Sequence, residues 1–177
     1  MLDFSLVKTE RLAKYHNLSN FDCGDKDIND FIKNDALAYQ EKKLATTTIF
    51  IDAGDIIGFF SAAADSLKLI LPEKEEHKVK NKPLKEFPAI KIARLGRNKK
   101  YRGQKVGTNI LKWAIGYILN CSQMIAIRFV TVDAYPDKVS WYEDYGFKKN
   151  EDKHYTKKTE QISMRYDLFN DIPGSQK

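Results

Sequence analysis

Apolar positions repeat at steps of three and four in some stretches of the chain and crowd into short β-branched runs in others, so helices and strands alternate. Phe4 to Val7 predicts a short opening strand. After the turn-forming segment Asn20 to Asp25, residues Ile28, Phe31, Ile32, Ala36 and Tyr39 mark one face of an amphipathic helix, and acids near its N-terminal end suit the dipole. Thr46 to Ile51 and Ile56 to Ala63 are β-branched and aromatic runs on either side of Asp52-Ala53-Gly54-Asp55, the pattern of a hairpin. Lys68 to Lys85 is rich in Lys and Glu and contains Pro72 and Pro83, which predicts an exposed excursion with one helical turn. Ala89 to Leu95 is strand-like again. Gln104 to Leu119 carries Val106, Ile110, Leu111, Trp113, Ala114, Tyr117 and Ile118 on a broad apolar face, the strongest helix signal in the chain. Met124 to Val132 is almost wholly apolar and predicts a central strand covered on both faces. Lys138 to Tyr145 predicts a short helix capped by Gly146. Gln161 to Leu168 predicts the last strand, and Asp171 to Lys177 a frayed tail.

The layout is a single α/β domain over residues 1–170, one mixed sheet flanked by helices, followed by a flexible tail at 171–177. A chain of 177 residues can bury a full core, and 42% hydrophobic against 31% charged residues is globular composition. The two cysteines, Cys23 and Cys121, are too far apart for a CxxC or other ligand spacing, so free thiols in a reducing cytosol are expected and no metal. Met1-Leu2-Asp3-Phe4 has an early acid and no apolar core of a signal peptide. No run approaches the roughly 18 apolar residues of a membrane helix. These features predict a soluble cytoplasmic protein without a membrane partner.

Charge changes the picture only slightly. The net charge of +6 favours anionic partners without choosing between a nucleotide cofactor, a nucleic acid and a solvated surface. The excess clusters in Arg97 to Arg102 and again in Lys148, Lys149, Lys153, Lys157 and Lys158.

The candidate chemistry lies where the Ala89 strand meets the Gln104 helix. Arg102-Gly103-Gln104-Lys105-Val106-Gly107-Thr108 leads directly into a long helix, whose N-terminus offers unpaired N–H groups and partial positive charge to a pyrophosphate. Gly103 and Gly107 permit close approach of the backbone to an anion, and Arg102 can grip phosphate oxygens bidentately. The alternative for such a segment is a strand-to-helix turn that uses glycine for geometry alone.

Context favours the anion site. Arg102-Gly103-Gln104-Lys105-Val106-Gly107 resembles the R/Q-x-x-G-x-G/A loop of the GNAT family of N-acetyltransferases, with Lys105 where the first glycine is usual. Ile92 to Arg97 is similar to the family strand whose exposed backbone pairs with the pantetheine arm. Trp141-Tyr142-Glu143-Asp144-Tyr145-Gly146-Phe147 resembles the end of the family's A-x-x-F-Y-x-x-x-G-F signature, with Lys138 replacing its alanine and Trp141 its phenylalanine. Upstream, Phe21-Asp22-Cys23-Gly24, Ile28 to Ile32 with Ala36, Thr48 to Ile51 and Ile57 to Ser61 resemble the branch containing the acetyltransferase toxins of toxin–antitoxin pairs, which acetylate aminoacyl-tRNA. The resemblance spans most of residues 4–168.

It implies a GNAT fold with a mixed, mostly antiparallel central sheet and helices on both faces, and acetyl-CoA as co-substrate. Leu95, Gly96, Arg97, Arg102, Gly103, Gln104, Lys105, Val106, Gly107 and Thr108 would hold the donor, and an N–H between Leu95 and Arg97 could stabilise the oxyanion. Tyr142 matches the tyrosine that protonates the departing thiolate, a role open to a phenol with pKa about 10. Tyr145 is the fallback. Asp65, Glu73, Glu86 and Asp133 lie near predicted strand ends, and no general base is assigned among them. His16, His77 and His154 show no triad or metal spacing and are expected on the surface. Three functions remain: acetylation of an unspecified small-molecule or other amine, toxic acetylation of aminoacyl-tRNA with an antitoxin as protein partner, or a non-catalytic acyl-CoA or nucleic-acid binding module. A homodimer is compatible with each.

Overall fold

The computed structural model, which describes residues 2–156 and 160–171, opens on a 3-10 turn at Phe4–Leu6 and not on a strand. Asp3 holds that turn by accepting from the Ser5 N–H at 3.0 Å, a local side-chain bond that competes with extended backbone. The first strand follows as β1 (Lys8–Arg11), polar throughout because it pairs on one side only, with β2 (Thr46–Asp52). Between them Asp25 accepts from the Ile28 N–H at 3.1 Å and starts α1 (Lys26–Asp30). A π-helical turn at Phe31–Asp35 interrupts the predicted helix before α2 (Ala36–Glu41). That turn still buries Phe31 and Ile32, so the apolar face survives the change of pitch.

The hairpin forms as predicted, β2 against the longer β3 (Asp55–Leu67). The Lys- and Glu-rich segment contains α3 (Leu71–Glu76), with Pro72 in the first turn, where the missing N–H is harmless. Next come β4 (Phe87–Arg97), α4 (Val106–Cys121) and β5 (Phe129–Ala134). The predicted strand from Met124 begins only at Phe129. Met124 and Ile125 sit in the turn after α4, 87% and 69% exposed, because the Ile125 N–H is used by Cys121 O at the helix end. The chain closes with α5 (Val139–Glu143), β6 (Lys148–Lys149) and β7 (Ile162–Asp167). The tail beyond Asp171, and Lys157 and Lys158 of the second basic cluster, lie outside the described residues.

The strands form one mixed sheet in the order β1-β2-β3-β4-β5-β7-β6. The β4–β5 ladder is parallel and comprises Ala89–Lys91 against Phe129–Thr131, whereas β5–β7 and β6–β7 are antiparallel. The described residues pack as two units. The first holds residues 2–63 and 92–116; the second holds residues 64–91, 117–156 and 160–171. In the first, Leu12, Phe21, Ile32, Ile49 and Phe59 form the core, and Phe50 and Phe60 close on Trp113 at ring distances of 5.4 and 5.8 Å. In the second, Leu67, Phe87 and Phe129 are the centre. Each fully buried side chain of this size contributes roughly 1.5–3 kcal/mol.

Candidate functional site

The loop after β4 is shaped from beneath by Asn98, a buried residue the sequence did not single out. Its Oδ1 accepts from the Lys100 N–H at 3.1 Å, and its Nδ2 donates to the carbonyls of Asn20 and Ile56, both at 3.4 Å. Asp22 fastens the same corner. Its carbonyl accepts from the Lys99 N–H at 2.7 Å and its carboxylate pairs with Lys99 Nζ at 2.6 Å. Hydrogen bonding from Lys99 and then Asn29 holds the Asp22 carboxyl well below the usual carboxylate range. Lys99, although exposed, is therefore paired into the corner's scaffold, and Lys100 and Arg102 are exposed beside it.

The chain then turns through Arg102 to Lys105 and enters α4 at Val106. Gly103 has φ +80°, and Lys105 has φ +57°. Lys105 thus stands in the left-handed region at the position where a glycine is usual, at a cost of about 1–2 kcal/mol for an L side chain. The first helical bond runs from the Asn109 N–H to Lys105 O at 3.0 Å, so the N–H groups of Val106 and Gly107 precede the ladder. No acid occupies the first turn of α4. A Cβ at Gly103 or Gly107 would meet nothing within 4 Å. The turn therefore presents backbone amides, the positive end of a 16-residue helix and open space together, a setting suited to a phosphate. Arg102 and Lys105 are exposed beside it, Gly107 and Thr108 are half-buried, and Val106 is buried as an anchor. Gln104 spends its Oε1 on the Leu2 N–H at 3.2 Å.

Gly96 has a different reason for being glycine. A Cβ there would lie 2.6 Å from the Phe59 ring, and one at Gly58 would lie 2.8 Å from Gly96 O. Leu95, Gly96 and Arg97 nevertheless belong to the part of β4 beyond Lys91, where the described β4–β5 ladder has ended.

Tyr142 lies on α5, and the predicted cap holds it in place. Gly146, at φ +87°, donates its N–H to Glu143 O at 2.9 Å, and the Phe147 N–H reaches Tyr142 O at 3.1 Å. This is the paired bonding of a Schellman motif. The Tyr142 ring packs edge-on to Trp141 at 4.8 Å and Phe147 at 5.3 Å. Burial pushes its phenol up to about 12, so at neutral pH it keeps its proton and can donate it. Tyr145 also packs edge-on to Trp141, at 5.3 Å.

The histidines differ from expectation. His154 is exposed, but His77 is buried and His16 half-buried. His16 bridges the Ala13 N–H at 3.0 Å and Glu10 at 3.0 Å. His77 joins an ionic lattice: Arg165 Nε donates to its Nε2 at 2.9 Å, so its Nδ1 carries the proton and donates to Asp167 at 2.8 Å. Arg165 also meets Glu73 at 2.7 Å and Glu76 at 3.1 Å, while Arg128 clasps both Asp167 oxygens. Glu73 is thereby a structural residue. The other three acids of uncertain role, Asp65, Glu86 and Asp133, line one cavity.

Comparison with known proteins identifies the family and the fold. The acetyltransferase (GNAT) domain family matches residues 78–168, just over half of the chain. The chain is similar to a tRNA-acetylating toxin of Mycobacterium tuberculosis, 22% identical over 138 residues that cover 77% of this chain and 81% of the relative. Among solved structures, AtaT complexed with acetyl-methionyl-tRNAfMet shares the fold with a TM-score of 0.80 at 20% identity, over 93% of this chain and 96% of that one. A mutant of KacT gives 0.79 at 18% identity over 93% and 96%, and AtaTR bound with AcCoA gives 0.76 at 19% over 94% and 96%. No helix among the described residues is long and apolar enough to cross a membrane.

Proposed function

Since the chain belongs to the acetyltransferase (GNAT) domain family, we propose that it transfers the acetyl group of acetyl-CoA to the α-amino group of an aminoacyl-tRNA. The observation that carries the donor half is the turn from Arg102 to Lys105 feeding an acid-free helix start beside two open glycine positions. Acetyl-CoA would supply an activated thioester. The N–H groups of Val106 and Gly107, with the cations of Arg102 and Lys105, suit its pyrophosphate. The β4 backbone from Leu95 to Arg97 suits its extended arm, and an N–H there stands to stabilise an oxyanion. Most of the rate gain then comes from holding amine and thioester together. Tyr142 is the proton donor to the leaving thiolate, an assignment supported by its place in the motif and by a phenol that stays protonated.

The acceptor half is supported by the relatives, named for acetylating tRNA or solved with an acetylated aminoacyl-tRNA, and by the exposed Lys100 and Arg102. On this reading the protein works in the cytoplasm as a toxin, and an antitoxin partner restrains it. The test is incubation with labelled acetyl-CoA and charged tRNA, followed by analysis of the aminoacyl end. Transfer to the α-amine is expected, and failure to label any charged tRNA would sink the acceptor. Tyr142→Phe should lower turnover by about a hundredfold to ten-thousandfold, roughly 3–5 kcal/mol of barrier, with donor affinity unchanged. Tyr145→Phe should stay near the wild-type rate. Loss of donor affinity in Tyr142→Phe would make that tyrosine a packing contact.

A further inference from the structure

The second unit holds a cavity of about 420 Å³ that the donor site does not use. Lys91 and Thr131, the last pair of the β4–β5 ladder, both line it, and so do Asp133 and Ser163, which face each other across β5 and β7. Asp65, near the end of β3, closes another side. From the cavity wall at Lys91, β4 continues directly into the segment read above as the donor strand. The volume falls in the range of small-ligand pockets, about 300–1,000 Å³.

The lining is polar on nearly every side, and Leu67 is its one aliphatic side chain among the described residues. Its charges are unevenly matched. Lys91 donates to Asp133 at 2.8 Å, and Lys68 lies 3.5 Å from Glu86. Asp65 is the carboxylate left without a salt bridge among the described residues. It accepts from the Thr131 hydroxyl and from the Ser66 N–H at 2.9 Å, bonds that orient it without supplying positive charge. Lys91, already paired with Asp133, acts on Asp65 electrostatically without forming an ion pair with it, so this half-buried carboxylate has capacity for a further charged donor.

We propose that this cavity receives the amino end of the acceptor, that Asp65 is the anchor for its N–H groups, and that the polar wall selects small or polar aminoacyl residues over apolar ones. The proposal rests on the acceptor reading above and adds where the amine docks and which amines dock best. A long apolar side chain would displace hydration from Asp133, Lys91 and Ser163 without replacing their hydrogen bonds. Seryl or glycyl residues make no such demand.

Steady-state acetylation with acetyl-CoA and the full set of twenty charged tRNAs tests it, with donor affinity measured alongside. Wild type should acetylate seryl- or glycyl-tRNA with a lower KM than leucyl- or methionyl-tRNA. Asp65→Asn should raise the acceptor KM about tenfold to a hundredfold, the loss of one hydrogen bond to a charged group. Its acetyl-CoA affinity should be unchanged, which also shows that the variant folds, and Asp65→Glu should recover part of the loss. An unchanged acceptor KM in Asp65→Asn overturns the proposal, as does a wild type that favours leucyl- or methionyl-tRNA. A wild type that binds acetyl-CoA yet acetylates none of the twenty sinks the acceptor reading, and this proposal with it.

Discussion

The donor turn and the ionic lattice of the second unit use charge in opposite ways. At the turn, Arg102 and Lys105 are exposed, and the backbone amides proposed to meet an anion lie within the same seven consecutive residues. In the lattice, Arg165 and Glu73 have side chains only 3% exposed and meet across 92 positions of sequence. Exposed cations beside a helix start remain solvated until a ligand arrives, so they add binding without threatening the fold. Buried charges survive only because every partner is present. The proposed donor site therefore lies where charge is cheap to expose, and stability depends on the place where charge is expensive to bury.

The largest effect should come from breaking the lattice. Arg165→Met leaves Glu73 and His77 without their common donor and should destabilise the protein by about 3–5 kcal/mol in urea unfolding. A loss under about 1 kcal/mol would mean that water replaces the arginine and that the lattice is no keystone. The contrasting change at the turn is Gly107→Glu. The site has open space for the side chain, and an acid in the first turn suits the helix, so melting temperature should hold or rise. Acetyl-CoA affinity should fall about a hundredfold from like-charge repulsion, as measured by calorimetry. Unchanged affinity would remove the turn from the donor site.

A pH series sharpens the comparison further. Burial would raise the Asp167 carboxyl, but the hydrogen bonds from His77 and Arg128 outweigh it and hold the group below its ordinary value. Because the folded value is depressed, the stabilisation is complete above the unfolded value of about 3.9 and is lost as pH falls through the folded one. Denaturant midpoints should therefore decline on acidification below about pH 4, and Arg128→Leu should shrink that acid-dependent part. An Arg128→Leu protein with the same acid profile would assign the decline to other carboxylates. The smallest effect belongs to the turn: Lys105→Gly relieves a left-handed φ of +57° and should raise stability by about 0.5–1 kcal/mol. A loss instead would show that the lysine side chain contributes packing that outweighs its strain.

The turn proposed for the donor was legible because its pieces are local. Glycines at Gly103 and Gly107, the strand before them and the apolar face of α4 after them are all consecutive, and the Gly146 cap on α5 is equally local. The failures have two causes. Lys68 to Lys85 read as solvated because Lys and Glu are rarely buried, yet Glu73 and His77 lie inside, matched by Arg165 and Asp167 from the far end of the chain. Met124 and Ile125 read as core because they are apolar, but the end of α4 consumes their backbone before β5 begins.

By itself, then, the sequence determined the alternation of strands and helices, the hairpin, the glycine turn and the cap that seats Tyr142, since each depends on residues within a few positions of one another, and it determined membership of an acetyltransferase family through ordered motifs spread along the chain. Only the tertiary structure decided that Lys99 is bound to Asp22, that Lys105 takes the left-handed conformation, that Glu73 is structural, and that Asp65, Lys91, Thr131, Asp133 and Ser163 surround one cavity. Those outcomes depend on strand register and on which distant charge arrives to satisfy a buried one, and hydrophobic periodicity carries no information about either.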